Sequence, residues 1–191
     1  MPPSRLRAVA GSGPEVDADA DLAARARAGD RPAFARIYER YAGAVHGVLL
    51  AAAPRQDARD LVQEVFLLAL RAIPRLEDPK SLGPWLLAIA RNRARDAHKA
   101  RRPVVELPAD EPAAGARPEP GLEDEQEAER ALLAVRSLPE AYSETLILRL
   151  VEGLTGPEIA ARTGMTHGSV RVNLHRGMKL LRERLAQAGG R

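Results

Sequence analysis

Residues 154–181, LTGPEIAARTGMTHGSVRVNLHRGMKLL, decide the fold. A short segment with Ile159 and Ala160 on one side is followed by a turn at Gly164 and by a longer helix that Thr166 can cap. Two helices joined by a short glycine-containing turn form a helix-turn-helix. At roughly 100° per residue, the second helix presents to the first a stripe of Val170, Leu174, Gly177 and Leu181.

The outward face of the second helix combines cations with short polar groups and an exposed valine. Its members are Ser169, Val172, Arg176 and Lys179, flanked by Arg171, Asn173 and His175. Arginine can pair with guanine or phosphate, asparagine with adenine, and valine can contact a thymine methyl, so the face favours a DNA major groove. The alternative is a solvated terminal helix, because cations such as Lys179 and Arg184 also suit the negative end of a helix dipole.

The composition restricts both the fold class and the chemistry. The chain has 191 residues, 45% apolar but only 3% aromatic, so Ala, Leu and Val must build the core. Such a core favours packed helices over a sheet. The absence of cysteine excludes disulfides and thiolate zinc sites and fits a reducing cytoplasm. No apolar run approaches the roughly 20 residues of a membrane span, so we expect a cytoplasmic protein without membrane insertion.

Changes in pattern along the chain divide it into two helical domains. Helical periodicity covers 19–102 and 125–186, whereas 1–18 is predicted to be a disordered tail and 187–191 a short tail. Between 103 and 124 prolines interrupt an acidic stretch without apolar periodicity, which predicts a flexible linker. The sequence therefore predicts an all-α fold of two small domains, the C-terminal one a helix-turn-helix.

Four helices are predicted in the first domain. The first begins near Asp19, and Asp30 caps the second, which runs to about Ala53. Asp57 can cap a third helix that stops before Pro74. The segment 74–84 is predicted to be an irregular loop, followed by a fourth helix from Pro84 or Trp85 to about Arg102.

The third predicted helix has an outward face of mixed character. Its inward face is assigned Leu61, Val65, Leu68 and Ala72. The other face carries polar and acidic residues around an apolar one, namely Asp60, Gln63, Glu64, Leu67 and Arg71, and Leu70 is a second leucine where a solvated face would be polar. Such a patch indicates a protein-docking surface. The alternative is a surface stripe with two incidental leucines.

The fourth predicted helix is basic and begins with an aromatic residue. Leu86, Ile89, Ala90 and Ala97 are assigned inward, and the outward face carries Arg91, Arg95, Lys99 and Arg102 with Asn92 and His98. Cations for phosphates and an indole for stacking, here Trp85, suit a nucleic acid strand. The alternative is a buried tryptophan anchor under a solubilising basic face.

Together these patterns resemble the extracytoplasmic-function (ECF, group 4) sigma factors of bacterial RNA polymerase, within the sigma-70 family. The resemblance is carried by DARDLVQEVFLLALRAI (57–73), WLLAIARNRARD (85–96) and LPEAYSETLILRLVEGLTGPEIAARTGMTHGSVRVNLHRGMKLLRERL (138–185). It covers about residues 19–102 and 125–186. It implies a sigma region 2-like domain, the linker, and a region 4-like domain in a subunit that selects promoters and melts their −10 element.

The resemblance also implies partners. These are core RNA polymerase, contacted at the clamp helices of its largest subunit and at its flap region, promoter DNA, and an anti-sigma factor. The clamp-helix contact falls by position on Asp60, Gln63, Glu64 and Leu67. The linker would thread the polymerase toward its active site and RNA exit path.

DNA contacts carry over in the same way. The −10 element would be held by Lys80, Ser81, Trp85, Arg91, Asn92, Arg95 and Lys99, with the loop from Asp78 to Pro84 capturing a flipped base. The −35 element would be recognised as duplex by Thr166, His167, Ser169, Arg171, Val172, Asn173, Arg176 and Lys179. The chain departs from the family pattern at 81–84, before the Trp-Leu pair, and at Val172 and Asn173, where Ser and Arg are frequent.

Two other classes of function compete with this interpretation. A helix-turn-helix regulator that is not a polymerase subunit would explain the C-terminal stretch, but it leaves the third and fourth helices unexplained and predicts a dimer on palindromic sites. An enzyme is disfavoured, because the sequence has no Gly-rich phosphate loop, paired metal ligands or nucleophile elbow. We therefore expect no catalytic residue, metal or cofactor.

Overall fold

The computed structural model describes residues 14–53, 55–100 and 122–189. Within these ranges the regular elements are helices, which confirms the all-α prediction. The predicted linker lies outside the described residues up to position 121, and 122–124 already belong to the next helix. The α-helices are α1 (Pro14–Arg27), α2 (Arg31–Ala52), α3 (Arg55–Ala72), α4 (Leu82–Ala100), α5 (Leu122–Arg136), α6 (Glu140–Leu150), α7 (Gly156–Thr163) and α8 (His167–Gly189).

Helix α2 is the centre of the N-terminal domain, and α1, α3 and α4 pack around it. Asp30 caps α2 as predicted, because its carboxylate accepts a hydrogen bond of 3.0 Å from the Ala33 backbone N–H. The buried face of α2 follows helical spacing through Ile37, Tyr41, Val45, Val48 and Leu49. The core of this domain therefore forms around one long amphipathic helix.

Helix α1 begins at Pro14, so the predicted tail is wrong for residues 14–18. Its buried face consists of Asp19, Ala23 and Ala26 instead of large apolar residues. A face of this kind leaves almost no hydrophobic periodicity to detect. The Asp19 carboxylate accepts a 2.7 Å hydrogen bond from the Tyr41 hydroxyl and lies 3.0 Å from Arg40 Nε. Polar bonds to α2 therefore contribute to holding α1 in place.

Helix α3 differs from the prediction in its start and in its buried face. It begins at Arg55, so Asp57 lies inside the first turn, where a carboxylate suits the helix dipole, and is not the N-cap. Leu68 was predicted inward but is 43% exposed, and Ala72 is only half-buried. The actual buried arc is rotated toward Phe66, and its members are Leu61, Val62, Val65, Phe66 and Ala69.

The predicted irregular loop 74–84 is largely helical. Two short 3₁₀ helices, Ile73–Arg75 and Pro79–Ser81, lead directly into α4, which begins at Leu82 and not at Pro84 or Trp85. Asp78 caps the second 3₁₀ helix by accepting hydrogen bonds from the Lys80 backbone N–H (3.0 Å) and the Ser81 hydroxyl (2.9 Å). Leu82 is fully buried, so it anchors this segment to the core.

The C-terminal domain is built on α6 and contains the predicted helix-turn-helix, α7 and α8. Gly164 ends α7 with φ +74, a left-handed conformation that glycine adopts without steric cost. Thr166 caps α8 by accepting a 3.1 Å hydrogen bond from the Ser169 backbone N–H. Gly177 permits close packing, but on a different helix from the one predicted: a Cβ added there would lie 3.1 Å from Leu146 Cδ1 of α6, and not against α7.

The two domains pack against each other, chiefly through α6 on α2 and α7 on α4. A Cβ added at Gly47 in α2 would lie 2.9 Å from Leu148 Cδ2 and 3.0 Å from Glu152 Cγ. A larger residue at this position would collide with α6 and the segment that follows it. The absence of a side chain at Gly47 therefore sets how closely α2 and α6 approach each other.

We expect Tyr41→Phe to lower the free energy of unfolding by about 1–3 kcal/mol, because it leaves the buried Asp19 carboxylate without one of its donors. Burial also raises the pKa of the Tyr41 hydroxyl, so the group stays protonated as a donor across the physiological range. Urea unfolding followed by circular dichroism measures the change. Tyr38→Phe, on an exposed tyrosine of the same helix, is the matched control. Equal losses in the two variants would contradict the assignment.

Candidate nucleic-acid and protein interfaces

The outward face of α8 carries most of the predicted −35 residues. All are exposed except Asn173, and the exposed set is Thr166, His167, Ser169, Arg171, Val172, Arg176 and Lys179. Val172 is a solvent-facing apolar side chain beside cations, since it is 42% exposed. The helix therefore presents a surface of cations, hydroxyls and one aliphatic group, as a major-groove reader requires.

Asn173 has a different environment from the rest of that set. It is half-buried, and its amide lies 3.4 Å from the Ala141 carbonyl oxygen and 3.5 Å from the Thr145 hydroxyl, both on α6. These long contacts direct the amide toward the domain core and away from the outward face. In this conformation Asn173 helps to fix the orientation of α8 on α6.

A capping box begins the first helix of the helix-turn-helix. Glu158 accepts hydrogen bonds of 2.7 Å from both the Thr155 backbone N–H and the Thr155 hydroxyl, and the same hydroxyl accepts a bond from the Glu158 backbone N–H. The hydrogen bond from the Thr155 side chain is the main reason why the pKa of Glu158 is lowered. Thr155 and Glu158 were not predicted, although the spacing T-x-x-E is the sequence signature of a capping box.

The basic face of α4 divides into exposed and covered residues. Asn92, Arg95 and Lys99 are exposed, as is Lys80 before the helix, whereas Trp85 and Ser81 are half-buried. The prediction that Arg91 points into solvent is wrong. Arg91 Nη2 lies 2.7 Å from Glu144 Oε1 and Arg91 Nε lies 2.9 Å from Glu144 Oε2, a two-pronged contact with α6. This contact raises the pKa of the Arg91 guanidinium.

The outward face of α3 forms an exposed apolar patch with polar residues beside it. Leu67 is 55% exposed and Leu70 is 48% exposed, and with Leu68 they place three leucines in water. Asp60 is exposed two turns before Leu67 and Gln63 one turn before it, and Glu64 pairs with Arg93 of α4. Contiguous leucines with a polar border are typical of a protein-binding surface.

A group of buried polar residues on α6 was not predicted from the sequence. Ser143, Glu144 and Thr145 are buried, and farther along Glu152 Oε1 lies 2.7 Å from His46 Nδ1 of α2. The Ser143 and Thr145 hydroxyls donate to backbone carbonyls of their own helix, those of Glu140 and Ala141. A signal existed in the pairs Glu140/Glu144 and Arg91/Arg95, each spaced by one helical turn, but it does not identify which helices meet.

The described ranges show neither a metal site nor a membrane span. Among residues 14–53, 55–100 and 122–189, no three His, Cys, Asp or Glu side chains come together as possible metal ligands. None of the helices in this part of the chain is long and apolar enough to cross a membrane.

Comparisons with known proteins agree with this arrangement. The family model of Sigma-70 region 2 matches residues 37–104, and that of Sigma-70, region 4, matches residues 128–181. The two domains therefore define a sigma-70-type protein. The RNA polymerase sigma factor CarQ of Myxococcus xanthus is 35% identical over 85% of this chain and 95% of its own length. The ECF RNA polymerase sigma factor SigD of Mycobacterium tuberculosis is 34% identical over 88% of this chain and 84% of its own length.

A solved structure has the same fold over almost the whole chain. The structure of CnrH in complex with the cytosolic domain of CnrY matches with a TM-score of 0.60 and 25% identity, covering 90% of this chain and 99% of that one. The chain belongs to the ECF RNA polymerase sigma factors of the sigma-70 family.

We expect Thr155→Ala to raise the pKa of Glu158 toward its ordinary value, because the strongest hydrogen bond that lowers it is removed while the backbone bond remains. A lowered carboxyl pKa stabilises the fold above the unfolded pKa, and this contribution disappears as pH falls through the folded pKa. Carboxyl-carbon NMR titration measures the shift. Thr163→Ala, in the same helix but bonded to the Ile159 carbonyl, should leave the pKa of Glu158 unchanged. An unaltered titration in Thr155→Ala would refute this account.

Proposed function

We propose that the protein is an alternative sigma factor that binds core RNA polymerase in the bacterial cytoplasm and directs it to specific promoters. Its C-terminal domain recognises the −35 element as duplex, and its N-terminal domain melts and holds the −10 element. The observation that carries this proposal is the combination in one chain of a region 2 domain and a region 4 domain, in that order. The protein acts as a specificity subunit without chemistry of its own.

The α3 patch supports polymerase binding. Leu67 and Leu70 each leave about half of their surface in water in the free chain. Burying such leucines against another protein is favourable at about 25 cal/mol per Å². Asp60, Gln63 and Glu64 lie on the adjoining surface and supply the polar rim that fixes orientation. We assign this patch to the clamp helices of the largest subunit.

Two basic surfaces support promoter binding. On α8, Arg171, Arg176 and Lys179 project into solvent from the helix that the Thr166 cap begins. On α4, Arg95 and Lys99 lie one turn apart with Asn92 beside them. Cations at such spacing neutralise phosphates, and the side chains near the start of α8 contact base edges.

An anti-sigma factor is the regulatory partner that we infer. A solved structure that matches this fold is that of CnrH in complex with the cytosolic domain of CnrY. When the polymerase is absent, the exposed leucines of α3 are available to bind another protein. For this chain we propose a protein partner that covers α3 until the chain is released.

A regulator acting without the polymerase is the second candidate, and the helix-turn-helix alone would fit it. It gives no role to the three exposed leucines of α3 or to the basic face of α4. The comparisons match both domains and not only the helix-turn-helix. We therefore favour the polymerase subunit.

We expect Asp60→Arg combined with Leu67→Arg to abolish binding to core RNA polymerase, because the double variant places two cations in the apolar patch of α3. Co-elution with core enzyme in size exclusion at micromolar concentration measures binding. Glu183→Arg with Leu185→Arg is the matched control, since it changes an exposed carboxylate and an exposed leucine at the end of α8. Unchanged co-elution of the Asp60/Leu67 variant would show that the docking face is elsewhere.

We expect Arg176→Ala to weaken binding of holoenzyme to selected promoter fragments by about 1–3 kcal/mol. Arg176 lies on the exposed outward face of α8, whereas Arg184 lies two turns farther along. Arg184→Ala is therefore the matched control and should cost less. The measurement is a titration of labelled promoter fragments, selected from genomic DNA with the reconstituted holoenzyme. Equal losses for the two arginines would contradict a specific role for Arg176.

A further inference from the structure

The first half of α8 carries a hollow on its exposed face. Four side chains form its walls, and its volume is about 320 Å³; the four are Arg171, Val172, His175 and Arg176. Residues four positions apart are neighbours on a helix surface, so Arg176 lies beside Val172 and His175 lies beside Arg171. The hollow therefore lies between two successive turns of the helix.

The hollow has apolar walls and a basic border. Its lining is mainly carbon, because Val172 contributes its methyl groups and each arginine contributes the aliphatic stem beneath its guanidinium. The guanidinium groups of Arg171 and Arg176 carry the positive charge beside it. In duplex DNA, charged phosphates border the edges of the bases in the same way. The polarity and charge of the hollow therefore complement a base edge and its flanking phosphates.

The short polar side chains predicted to read bases on α8 are engaged within the protein. The Thr166 and Ser169 hydroxyls are hydrogen-bonded to each other at 2.9 Å. The Asn173 amide nitrogen lies 3.4 Å from the Ala141 carbonyl oxygen and 3.5 Å from the Met165 sulfur, so it points toward the core. An asparagine held in this way does not present its amide to an adenine edge. The predicted adenine reader is thus withdrawn from the outward face.

The four side chains of the hollow, by contrast, are available to a ligand. All four are exposed, and within residues 14–53, 55–100 and 122–189 the three polar ones make no hydrogen bond or ion pair. A second hollow, of about 540 Å³, lies farther along α8 between Leu174 and Arg182. In a helix-turn-helix the first part of the second helix contacts base edges. The first hollow therefore has the position of a base reader.

We infer that this hollow receives the C5-methyl group of a thymine in the −35 element, and that Val172 is the residue that selects it. The inference rests on the proposed function. The thymine methyl is the apolar group that the bases present in the major groove, so an aliphatic wall distinguishes thymine from the other three bases. Arg171 and Arg176 hold a neighbouring phosphate or guanine. Val172 is one of the positions at which the chain departs from the family pattern, so this selection is the chain's own.

Replacing thymine by uracil tests the DNA side of the contact, because uracil lacks the methyl group and keeps the base pairing. The probe is a labelled promoter fragment selected with the reconstituted holoenzyme, in which each thymine of the −35 element is replaced in turn on either strand. At one position we expect the affinity of the parent holoenzyme to fall about fourfold, the factor that burial of one apolar carbon is worth. A selected −35 element without thymine, or no loss at any position, would overturn the inference.

Val172→Ala tests the protein side of the contact. The residue is exposed and alanine has the higher helix propensity, so the variant keeps its fold. We expect it to bind the thymine fragment about fourfold more weakly than the parent does, and to bind the thymine and uracil fragments equally. The two losses then fail to add, as they do when two groups contact each other. Additive losses would contradict the assignment to Val172.

Two further variants serve as controls. Leu185→Ala changes an aliphatic side chain of the same helix that is also 42% exposed but lies near the end of α8, so it should keep the full sensitivity to uracil. Loss of that sensitivity in Leu185→Ala would show that the effect does not come from the hollow. Asn173→Ala removes the amide that points toward the core, so it should change the base preference at no adenine. A relaxed preference at an adenine would show that Asn173 reads DNA and would overturn its withdrawal.

Failure of this inference is distinguishable from failure of the proposed function. Co-elution with core RNA polymerase and the selection of promoter fragments test the function, and both use unmodified DNA or none. A parent chain that binds polymerase and selects promoters, but binds thymine and uracil fragments equally, overturns only the methyl contact. A parent chain that binds neither polymerase nor promoter DNA overturns both.

Discussion

Helix α6 has no side facing water from Ser143 to Leu148, and the arrangement of the whole protein depends on this burial. Six consecutive buried residues cover every direction around a helix. Leu146 meets α8 at Gly177, while Leu148 meets α2 at Gly47. The helix therefore belongs to the core of its own domain and to the contact between the domains at once.

Complete burial requires that every polar side chain on that segment has a bond. Ser143 and Thr145 satisfy their hydroxyls on carbonyls of the preceding turn. Glu144 cannot do so, and Arg91 of the other domain satisfies it. The hydroxyl of the next residue, Thr145, also accepts a hydrogen bond from the side-chain amide of Asn173 on α8. Adjacent residues of one helix thus contact the basic face of α4 and helix α8, which gives these two surfaces a common physical support.

The sequence was sufficient for features that depend on local chemistry. The turn at Gly164 and the cap at Thr166 follow from residue type and helical spacing, and both are present. Gly177 allows a close approach, but to α6 and not to the predicted α7. The family resemblance and the all-α fold are confirmed in the same way. Whether the assigned DNA and polymerase residues make their contacts stays a prediction.

Features that depend on distant partners could not be predicted. The buried side of α1 consists of alanines and Asp19, whose partner Tyr41 lies 22 positions farther along the chain. Arg91 looked like a solvent-facing cation because its partner is 53 positions away. Leu68 was assigned inward because α3 also carries leucines on its exposed side, so apolar spacing alone gave the wrong direction for the buried face. In each case a tertiary contact decided burial, and hydrophobic periodicity contains no information about such contacts.

The glycine at position 47 has a consequence for protein engineering. Glycine inside a helix costs roughly 0.5–1 kcal/mol relative to alanine, so Gly47→Ala is an obvious substitution when greater thermal stability is sought. The added methyl would strengthen α2 while pressing on Leu148 and Glu152 of the other domain. A substitution at Gly47 chosen to stabilise α2 would then also weaken the contact between the two domains. A residue that weakens the central helix by itself therefore lies where it lets α2 and α6 come into contact.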